Sequence, residues 1–367
     1  MQNAAEPSSK ATAANNAASV PCDLPQSFGS VEVRPAGAMG NGLFATCDIP
    51  AGSRILAETA MFALSRTYHG PDCVNAFCTE LQRLSLAEKK AFDELYHSTY
   101  HITPVLRSKV REWYKHNVVT DTDGSVLKGK RLQDVSKATV KRFAKFFNNF
   151  VEMDPKDAHG GLFALSSRIN HSCIPNAHQS YNPTIGRLTV HSIRAIRPGE
   201  QITVSYFENA CRPKPERAFL LQRRWRFSCS CLACTDPGIE NGRKRMRQLD
   251  QRLAVYACPL ARFILRMDSP ENDSEALDDA QELITLLKEQ GLEEMGLCNT
   301  YRACSKFSLA LGAWKAAKDF AVRELELERR LIGTETEHLG HEGAEFWLRL
   351  LTVFASDAFA HVTELQE

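Results

Sequence analysis

The spacing of apolar positions divides the chain into a β-rich part and two helical parts. Short apolar alternation predicts strands that begin near Val31 and Ile55, and further strands between residues 162 and 206. Between residues 72 and 153, apolar side chains recur at three- and four-residue steps as far as Val151, which predicts a helical insert. The same helical spacing returns after residue 238.

The C-terminal part, residues 238–367, has the pattern of paired amphipathic helices. One apolar stripe runs from Leu249 through Leu253 and Tyr256 to Leu260. Helix pairs of this length resemble tetratricopeptide-like repeats, although the consensus of that repeat is degenerate here. We expect a helical, TPR-like C-terminal domain and leave the identity of the repeat open.

Composition restricts the class of protein. Apolar residues make up 43% of the 367 residues, charged residues 24%, and the formal net charge is +1. We therefore expect no direct nucleic-acid or membrane contact and a monomer inside the cell, in the nucleus or the cytoplasm. Residues 1–27, rich in Ala, Asn, Ser and Pro, are predicted to be a disordered tail.

Three short strings carry most of the candidate chemistry. Residues 167–176 read Ser-Arg-Ile-Asn-His-Ser-Cys-Ile-Pro-Asn, and residues 199–206 read Gly-Glu-Gln-Ile-Thr-Val-Ser-Tyr. An Asn-His pair can cap a turn without any function, and Tyr206, in a predicted strand over residues 202–207, can be an ordinary core aromatic. Residues 40–45, Gly-Asn-Gly-Leu-Phe-Ala, form a glycine-rich turn that taken alone is a weak signal of ligand binding.

The third string is a cysteine group. Cys229, Cys231 and Cys234 supply three sulfurs within six residues, whereas structural zinc takes four ligands. In a reducing compartment such a group favours a metal over disulfides, and reduced thiols are the alternative. Cys211 and Cys258 are poorly spaced candidates for the fourth ligand.

Taken together and in this order, the strings resemble the SET-domain family of protein-lysine methyltransferases. The chain resembles fungal-type SET proteins with post-SET cysteines, and it is similar to MYND-bearing members while lacking MYND, because Cys73, Cys78 and His69 are too few ligands. The implied fold class is α+β, a β-rich SET fold with a knot-like core. The implied domains are the SET domain at 28–210 with its insert near 72–153, a post-SET zinc segment at 211–237 and the helical domain.

The resemblance also implies roles for single residues. It makes Tyr206 the catalytic residue, which aligns the acceptor amine with the sulfonium methyl group. Many relatives carry a basic residue where Asn41 stands, so a charge contact to the donor is absent here. S-adenosylmethionine and Zn²⁺ are the implied cofactors. The implied donor-binding residues are Gly40, Asn41, Gly42, Ser167, Asn170, His171 and Phe227, and the implied zinc ligands are Cys173, Cys229, Cys231 and Cys234.

The function implied is methyl transfer to a lysine of a histone or another protein. An inactive SET scaffold that binds partner peptides through its helical domain is the alternative, and a non-lysine acceptor is a further one. Phe227 either covers the adenine of the donor or packs against Trp225. The basic run at residues 243–247 is read as the solvated face of a helix rather than a nuclear signal.

Overall fold

The computed structural model describes residues 29–65, 71–120, 123–154, 159–208, 211–258, 260 and 268–353. The tail predicted at residues 1–27 lies outside the described residues. Ten strands form three small sheets. The strands are β1 Val31–Pro35, β2 Asn41–Ala45, β3 Arg54–Glu58, β4 Phe62–Ser65, β5 Val151–Asp154, β6 His159–Leu162, β7 Asn170–His171, β8 Ala177–Asn182, β9 Arg187–Ser192 and β10 Gln201–Val204.

The sheet that carries the site has the strand order β1-β2-β10-β7. Strands β1 and β2 form an antiparallel hairpin, closed by the 3₁₀ turn Gly37–Met39. Strand β10 runs antiparallel to β2 and parallel to β7, so that Thr203 faces Asn170. The alternation of Val31 and Val33 predicted β1 correctly, because Val31 points into a core that it shares with Leu43 and Ile202.

The other two sheets belong to the same β-rich part of the chain. Their strand orders are β3-β9-β8 and β4-β6-β5. The predicted strand near Ile55 is β3, which begins at Arg54 and pairs with β9. Val151 belongs to β5 rather than to the helical stripe, so the interpretation of Val151 as helical was wrong: the preceding helix ends at Asn149, and Phe150 is already extended.

The insert consists of four helices that pack around aromatic side chains. They are α1 Pro71–Arg83, α2 Leu86–Asp93, α3 Pro104–His116 and α4 Gly129–Asn149. Phe77 and Phe143 are buried with ring centroids 4.4 Å apart, next to Phe62 from β4. Because Phe62 comes from a strand, the insert packs its apolar face directly on the β4-β6-β5 sheet. Cys73 and Cys78 lie in this core.

Helices also make up the C-terminal part, as the spacing predicted. Two helices precede this part, α5 Lys214–Arg224 and α6 Leu232–Thr235. The C-terminal part contains α7 Gly238–Tyr256, α8 Asp273–Glu289, α9 Met295–Ala310 and α10 Trp314–Ile332, followed by helical residues at 344–353. Helix α7 ends at Tyr256, so Leu260 does not belong to the same stripe. The TPR-like identity stays a prediction. Within the described residues, no helix has both the length and the apolar character needed to cross a bilayer.

Candidate active site and metal centre

The glycine-rich turn brings backbone close to the motif at Asn170. Gly40 has φ +78°, a left-handed conformation that favours glycine, and the turn is closed by Ala36 N–H donating to Gly40 O at 2.7 Å. A Cβ on Gly42 would overlap the amide of Gln201 and lie 3.0 Å from Asn170 Nδ2. A larger residue at position 42 would therefore force the side-chain amides of Gln201 and Asn170 to shift.

Asn170 connects its own segment to the glycine-rich turn and to the segment at residues 199–206. Its Nδ2 donates to the carbonyl oxygen of Asn41 at 3.1 Å, across from the start of β2. Strand β7 holds it in place through the parallel pairing of Asn170 with Thr203 and of His171 with Val204. The structure thus brings Gly40, Asn41 and Asn170 together, as the resemblance implied, while the side chain of Asn41 is exposed.

The turn before β7 is fixed by a carboxylate that sequence reasoning missed. Glu58 Oε1 accepts from Leu165 N at 2.8 Å, and Glu58 Oε2 accepts from Ser166 N and Ser166 Oγ, both at 3.0 Å. Burial raises the pKa of Glu58 against the effect of these donors. The next hydroxyl, Ser167 Oγ, is buried and has no hydrogen-bond partner within the described part of the chain. Ser167 therefore offers a free donor in the cavity wall.

Asn176 fixes the other end of the same segment. Its Nδ2 donates to Glu200 Oε1 at 3.0 Å and to Gln201 O at 2.9 Å, and its Oδ1 accepts from Thr203 N at 2.8 Å. A single buried amide therefore ties the chain after the motif to β10. This arrangement explains how residues 170–176 keep their place under β10.

Tyr206 lies two residues beyond the end of β10, so the prediction of a strand over residues 202–207 was wrong at its C-terminal end. Its hydroxyl donates to Ile169 O at 2.7 Å, and its backbone N–H donates to His171 Nδ1 at 3.1 Å. Burial raises the pKa of Tyr206 above its usual range, so the phenol stays protonated at neutral pH.

His171 joins the tyrosine to the cysteines. Burial lowers the pKa of His171 to about 4, so the imidazole is neutral at neutral pH. Because Nδ1 accepts from Tyr206 N–H, the ring proton is on Nε2, which lies 3.2 Å from Cys173 Sγ. The imidazole thus donates to the sulfur of Cys173 and accepts from the backbone of Tyr206.

Two aromatic rings from residues 225–227 lie next to Tyr206. The Trp225 ring centroid is 5.2 Å from that of Tyr206, and the Phe227 centroid is 6.4 Å from Tyr206 and 6.2 Å from His171. Trp225 Nε1 donates to Asn148 O of the insert at 3.2 Å. Sequence reasoning assigned no site role to Trp225, because its partners come from α4 and from the segment after β10.

The backbone between these two aromatic residues is strained. Arg226 has φ +61°, and among the described residues it is the only one other than glycine with a positive φ. This conformation directs Trp225 and Phe227 toward Tyr206 from different positions along the loop. Such strain persists only where the surroundings determine it, and hydrogen bonds from the insert hold this loop: Tyr96 Oη donates to Trp225 O at 3.0 Å.

The structure brings together four cysteines and supplies the fourth sulfur that the local spacing lacked. The Sγ atoms of Cys173, Cys229, Cys231 and Cys234 all lie within 4.8 Å of one another, and those of Cys173 and Cys234 are 3.6 Å apart. A tetrahedral zinc site with Zn–S bonds of about 2.3 Å needs S–S separations of about 3.8 Å. Cys211 is buried in the core of the C-terminal helices, and Cys258 is exposed, so neither replaces Cys173.

Electrostatics among the sulfurs also suits a metal. Sulfur–sulfur hydrogen bonding lowers the pKa of Cys231 and raises that of Cys173, so the four sulfurs titrate as one coupled group. Thiolate is the form that binds zinc. The four cysteines therefore fit a structural Zn²⁺ site in ligand type, ligand number and spacing.

One cavity of about 1860 Å³ connects the parts of the site. Its walls include Asn41, Ser167, Asn170, Tyr206 and Phe227, and they continue onto helices α7, α8 and α9. Of the residues assigned to donor binding and to catalysis, all but Gly42 line this space, whereas the four sulfurs lie behind it.

A β-rich core interrupted by a helical insert and followed by a cysteine loop defines the class of protein. Residues 40–207 match the family described as SET domain, which confirms the fold predicted for this part of the chain.

The chain is also similar to individual named proteins. It is similar to a protein from Schizosaccharomyces pombe named "Histone-lysine N-methyltransferase set5", with 25% identity over 83% of this chain and 80% of that protein. It is similar to the mouse "Protein-lysine N-trimethyltransferase SMYD5", with 40% identity over 22% of this chain and 20% of that protein. A solved structure described as "Structure of Rubisco LSMT bound to Sinefungin and Monomethyllysine" covers 90% of this chain and 88% of that chain, at 14% identity and a TM-score of 0.31.

Proposed function

We propose that the protein transfers a methyl group from S-adenosylmethionine to a lysine side chain of a protein substrate. The observation that carries this proposal is the shared cavity wall, where Gly40, Asn41, Asn170 and Tyr206 line one space. The named activities of the relatives, histone-lysine and protein-lysine methyl transfer, support the same reaction class.

The donor would lie along β2 and β7. The amide of Asn170, the free hydroxyl of Ser167 and the backbone of the glycine turn offer polar groups for its amino-acid end. Glycine at position 42 lets the backbone lie close to these groups, because a Cβ there would overlap the amide of Gln201 and crowd that of Asn170. In this proposal Phe227, which faces His171 and Tyr206, covers the adenine.

The acceptor amine would approach beside Tyr206. When bound, the donor supplies an electrophilic methyl group on a sulfonium, and the protein must align the amine with it and exclude water. The phenol of Tyr206 remains neutral and is held by Ile169 O, so it does not compete with the amine as a nucleophile. The rings of Trp225 and Phe227 remove water from the same space.

We further propose that Cys173, Cys229, Cys231 and Cys234 bind a structural Zn²⁺. The ion would fix the loop that carries Phe227 to the segment that carries Asn170 and His171. Structural zinc of this kind contributes folding free energy directly. Its part in the reaction would be to position side chains, since the sulfurs lie behind the cavity wall.

The test combines donor binding with transfer. Calorimetry with S-adenosylmethionine measures donor affinity, and a lysine-peptide array with labelled donor measures transfer by the native protein and by Tyr206→Phe. We expect the variant to keep the donor affinity of the native protein and to lose about 10²- to 10³-fold in transfer rate, typical for removal of one preorganised polar group. Tyr114→Phe is the matched control, since it removes a buried hydroxyl bonded to Thr139 in the insert.

Other outcomes point to the rival functions. No donor binding by the native protein would overturn the proposal. Donor binding without transfer to any peptide would favour a scaffold that binds partners through the helical domain. Transfer to arrays in which every lysine is replaced would indicate a different acceptor.

A further inference from the structure

Two arginine side chains are completely buried beside the cysteine cluster. Arg217, on α5, and Arg243, on α7, both have 0% exposure and are among the largest fully buried side chains of the described residues. A buried guanidinium carries a large desolvation cost unless opposite charge lies near it. What compensates these two positive charges is therefore a question about the site.

Arg217 contacts the cysteine loop directly. Its Nη2 donates to Ala233 O at 2.8 Å and lies 3.7 Å from Cys234 Sγ. Its electrostatic partners include the sulfurs of Cys173 and Cys234. This guanidinium is thus aimed at the sulfur cluster rather than at solvent.

Arg243 contacts the other segment that supplies a sulfur, the one that carries Cys173. Its Nη2 donates to Cys173 O at 2.9 Å, and its Nε donates to Gln290 Oε1 at 2.7 Å. Gln290 in turn donates through Nε2 to Ile239 O at 3.1 Å, which fixes the guanidinium plane. The sulfurs of Cys173 and Cys231 are among its electrostatic partners.

Formal charges of a metal-loaded cluster match these two arginines. Four thiolates around one divalent ion carry two negative charges in excess. Cys173 and Cys234 are buried, and Cys229 and Cys231 are half-buried, so water screens this excess only in part. Two buried guanidiniums bring the sum to zero.

We propose that Arg217 and Arg243 are the charge-compensating residues of a four-thiolate zinc centre, each acting on the ion through the cysteines it contacts. They are positioning residues and not ligands. Their positive charge stabilises the thiolate form of the cluster, and their hydrogen bonds hold the two segments that supply the sulfurs. The inference concerns the metal centre alone and does not depend on methyl transfer.

The proposal has a consequence of opposite sign for the metal-free protein. Removal of the ion returns protons to the sulfurs, and both guanidiniums then lose the negative charge that the loaded cluster supplies. An uncharged side chain of similar length should therefore weaken the zinc-loaded protein and stabilise the metal-free one. A role in packing alone would lower stability in both forms.

The experiment compares Arg217→Met and Arg243→Met with the native chain, zinc-loaded and after chelator treatment. In the loaded form we expect a lower Tm and zinc release to a chromophoric chelator about 10- to 100-fold faster, the usual effect of losing a group that supports a metal ligand. In the metal-free form we expect a higher Tm than that of the native chain. Arg245→Met is the control, since Arg245 lies on the same helix and pairs with Glu282 at the surface.

Equal loss of Tm in both forms, with unchanged zinc release, would overturn the proposal. Should the metal-free proteins give no cooperative transition, zinc release from folded, loaded Arg217→Lys and Arg243→Lys decides. Lysine keeps the charge, so these variants should release zinc more slowly than the methionine variants. Release at the methionine rate would show that charge has no part in holding the ion.

Discussion

The two halves of the candidate site are held together by different means. Asn170 and His171 belong to a strand whose backbone pairs with β10, and β10 pairs on its other side with β2. Residues 226–231, which carry Phe227 and two of the cysteines, lie outside every described strand and helix. The first half is defined by backbone hydrogen bonds, and the second by side chains that converge on one point.

This difference separates what forms with the fold from what depends on a bound ion. Strand pairing needs no ligand, so the position of Asn170 is set once β7 lies beside β10. The described backbone–backbone hydrogen bonds of the cysteine loop are local, such as Cys234 N–H donating to Cys231 O at 2.8 Å. The imidazole of His171 contacts both halves, through Tyr206 N and Cys173 Sγ. Because strand pairing does not need the cysteine loop, a change in one half should have only a weak effect on the structure of the other.

Cys231→Ser should have the largest effect. Loss of one of four ligands should reduce bound zinc to background, because apparent free energies of about 10–16 kcal/mol depend on the complete ligand set. Hydrogen exchange should become fast at residues 226–234 and stay slow in β2 and β10. Metal analysis and exchange mass spectrometry measure both, with the exposed Cys47→Ser as control. Equal loss of protection in β10 would show that the two halves are not separate.

Asn170→Ala tests the comparison from the other side. It removes the donor to Asn41 O and the amide that faces the cavity. We expect the affinity for S-adenosylmethionine to fall about 10- to 100-fold, which corresponds to roughly 1.4–2.8 kcal/mol. Zinc content should not change. Calorimetry and metal analysis check this result, and Asn117→Ala, at the exposed end of α3, is the control. Loss of zinc together with donor affinity would contradict the separation.

Glu58→Gln should weaken the turn that precedes β7. An amide oxygen replaces one carboxylate oxygen, so at least one of three donors loses its partner, at a cost of about 1–2 kcal/mol. Because burial raises the pKa of Glu58, the unfolded chain ionises first as pH rises above about 4.3. The native chain should therefore lose stability relative to the variant from that pH upward, as far as its raised pKa. Urea unfolding at several pH values measures the difference, and a pH-independent difference would refute the assignment.

Asn41→Lys should have the smallest effect. Asn41 is exposed beside Asn170, so a lysine there adds a positive charge near the proposed position of the donor carboxylate. We expect a gain of about 0.2–1 kcal/mol in donor binding, a few-fold in Kd, that disappears at high salt. Calorimetry at two ionic strengths tests it. Asn41→Gln, which adds length without charge, should bind the donor as the native chain does.

The sequence predicted the parts of the site that local spacing encodes. The glycine turn, Asn170 and the cysteine loop were found because each is a short string. That Cys173 completes the cysteine group came from the resemblance, and the structure brings its Sγ to 3.6 Å from that of Cys234. Tyr206 was placed in a strand because its neighbours are β-branched, yet β10 ends at Val204, where the pairing with β7 stops.

Residues whose partners are distant in sequence could not be found in this way. Arg243 was predicted to lie on a solvated basic face, which was wrong. It is buried and donates to Cys173 O and Gln290 Oε1, two partners that the local run of basic residues does not reveal. No local pattern singles out Glu58. Its three donors come from a turn more than 100 residues later. Burial of charge is a property of tertiary packing and leaves no local period.

The pairing of β2 with β10 also affects how the protein is made. Residues that face each other in this pair, such as Phe44 and Gln201, are more than 150 positions apart. At translation rates of about 5–20 residues per second, β2 leaves the ribosome roughly 8 to 30 s before its partner. During that interval the hairpin β1–β2 exposes an edge that templates wrong pairing. The helical insert, synthesised in between around its own phenylalanine core, can pack before β10 emerges, so the edge of β2 is the part of the sheet that waits longest for its partner.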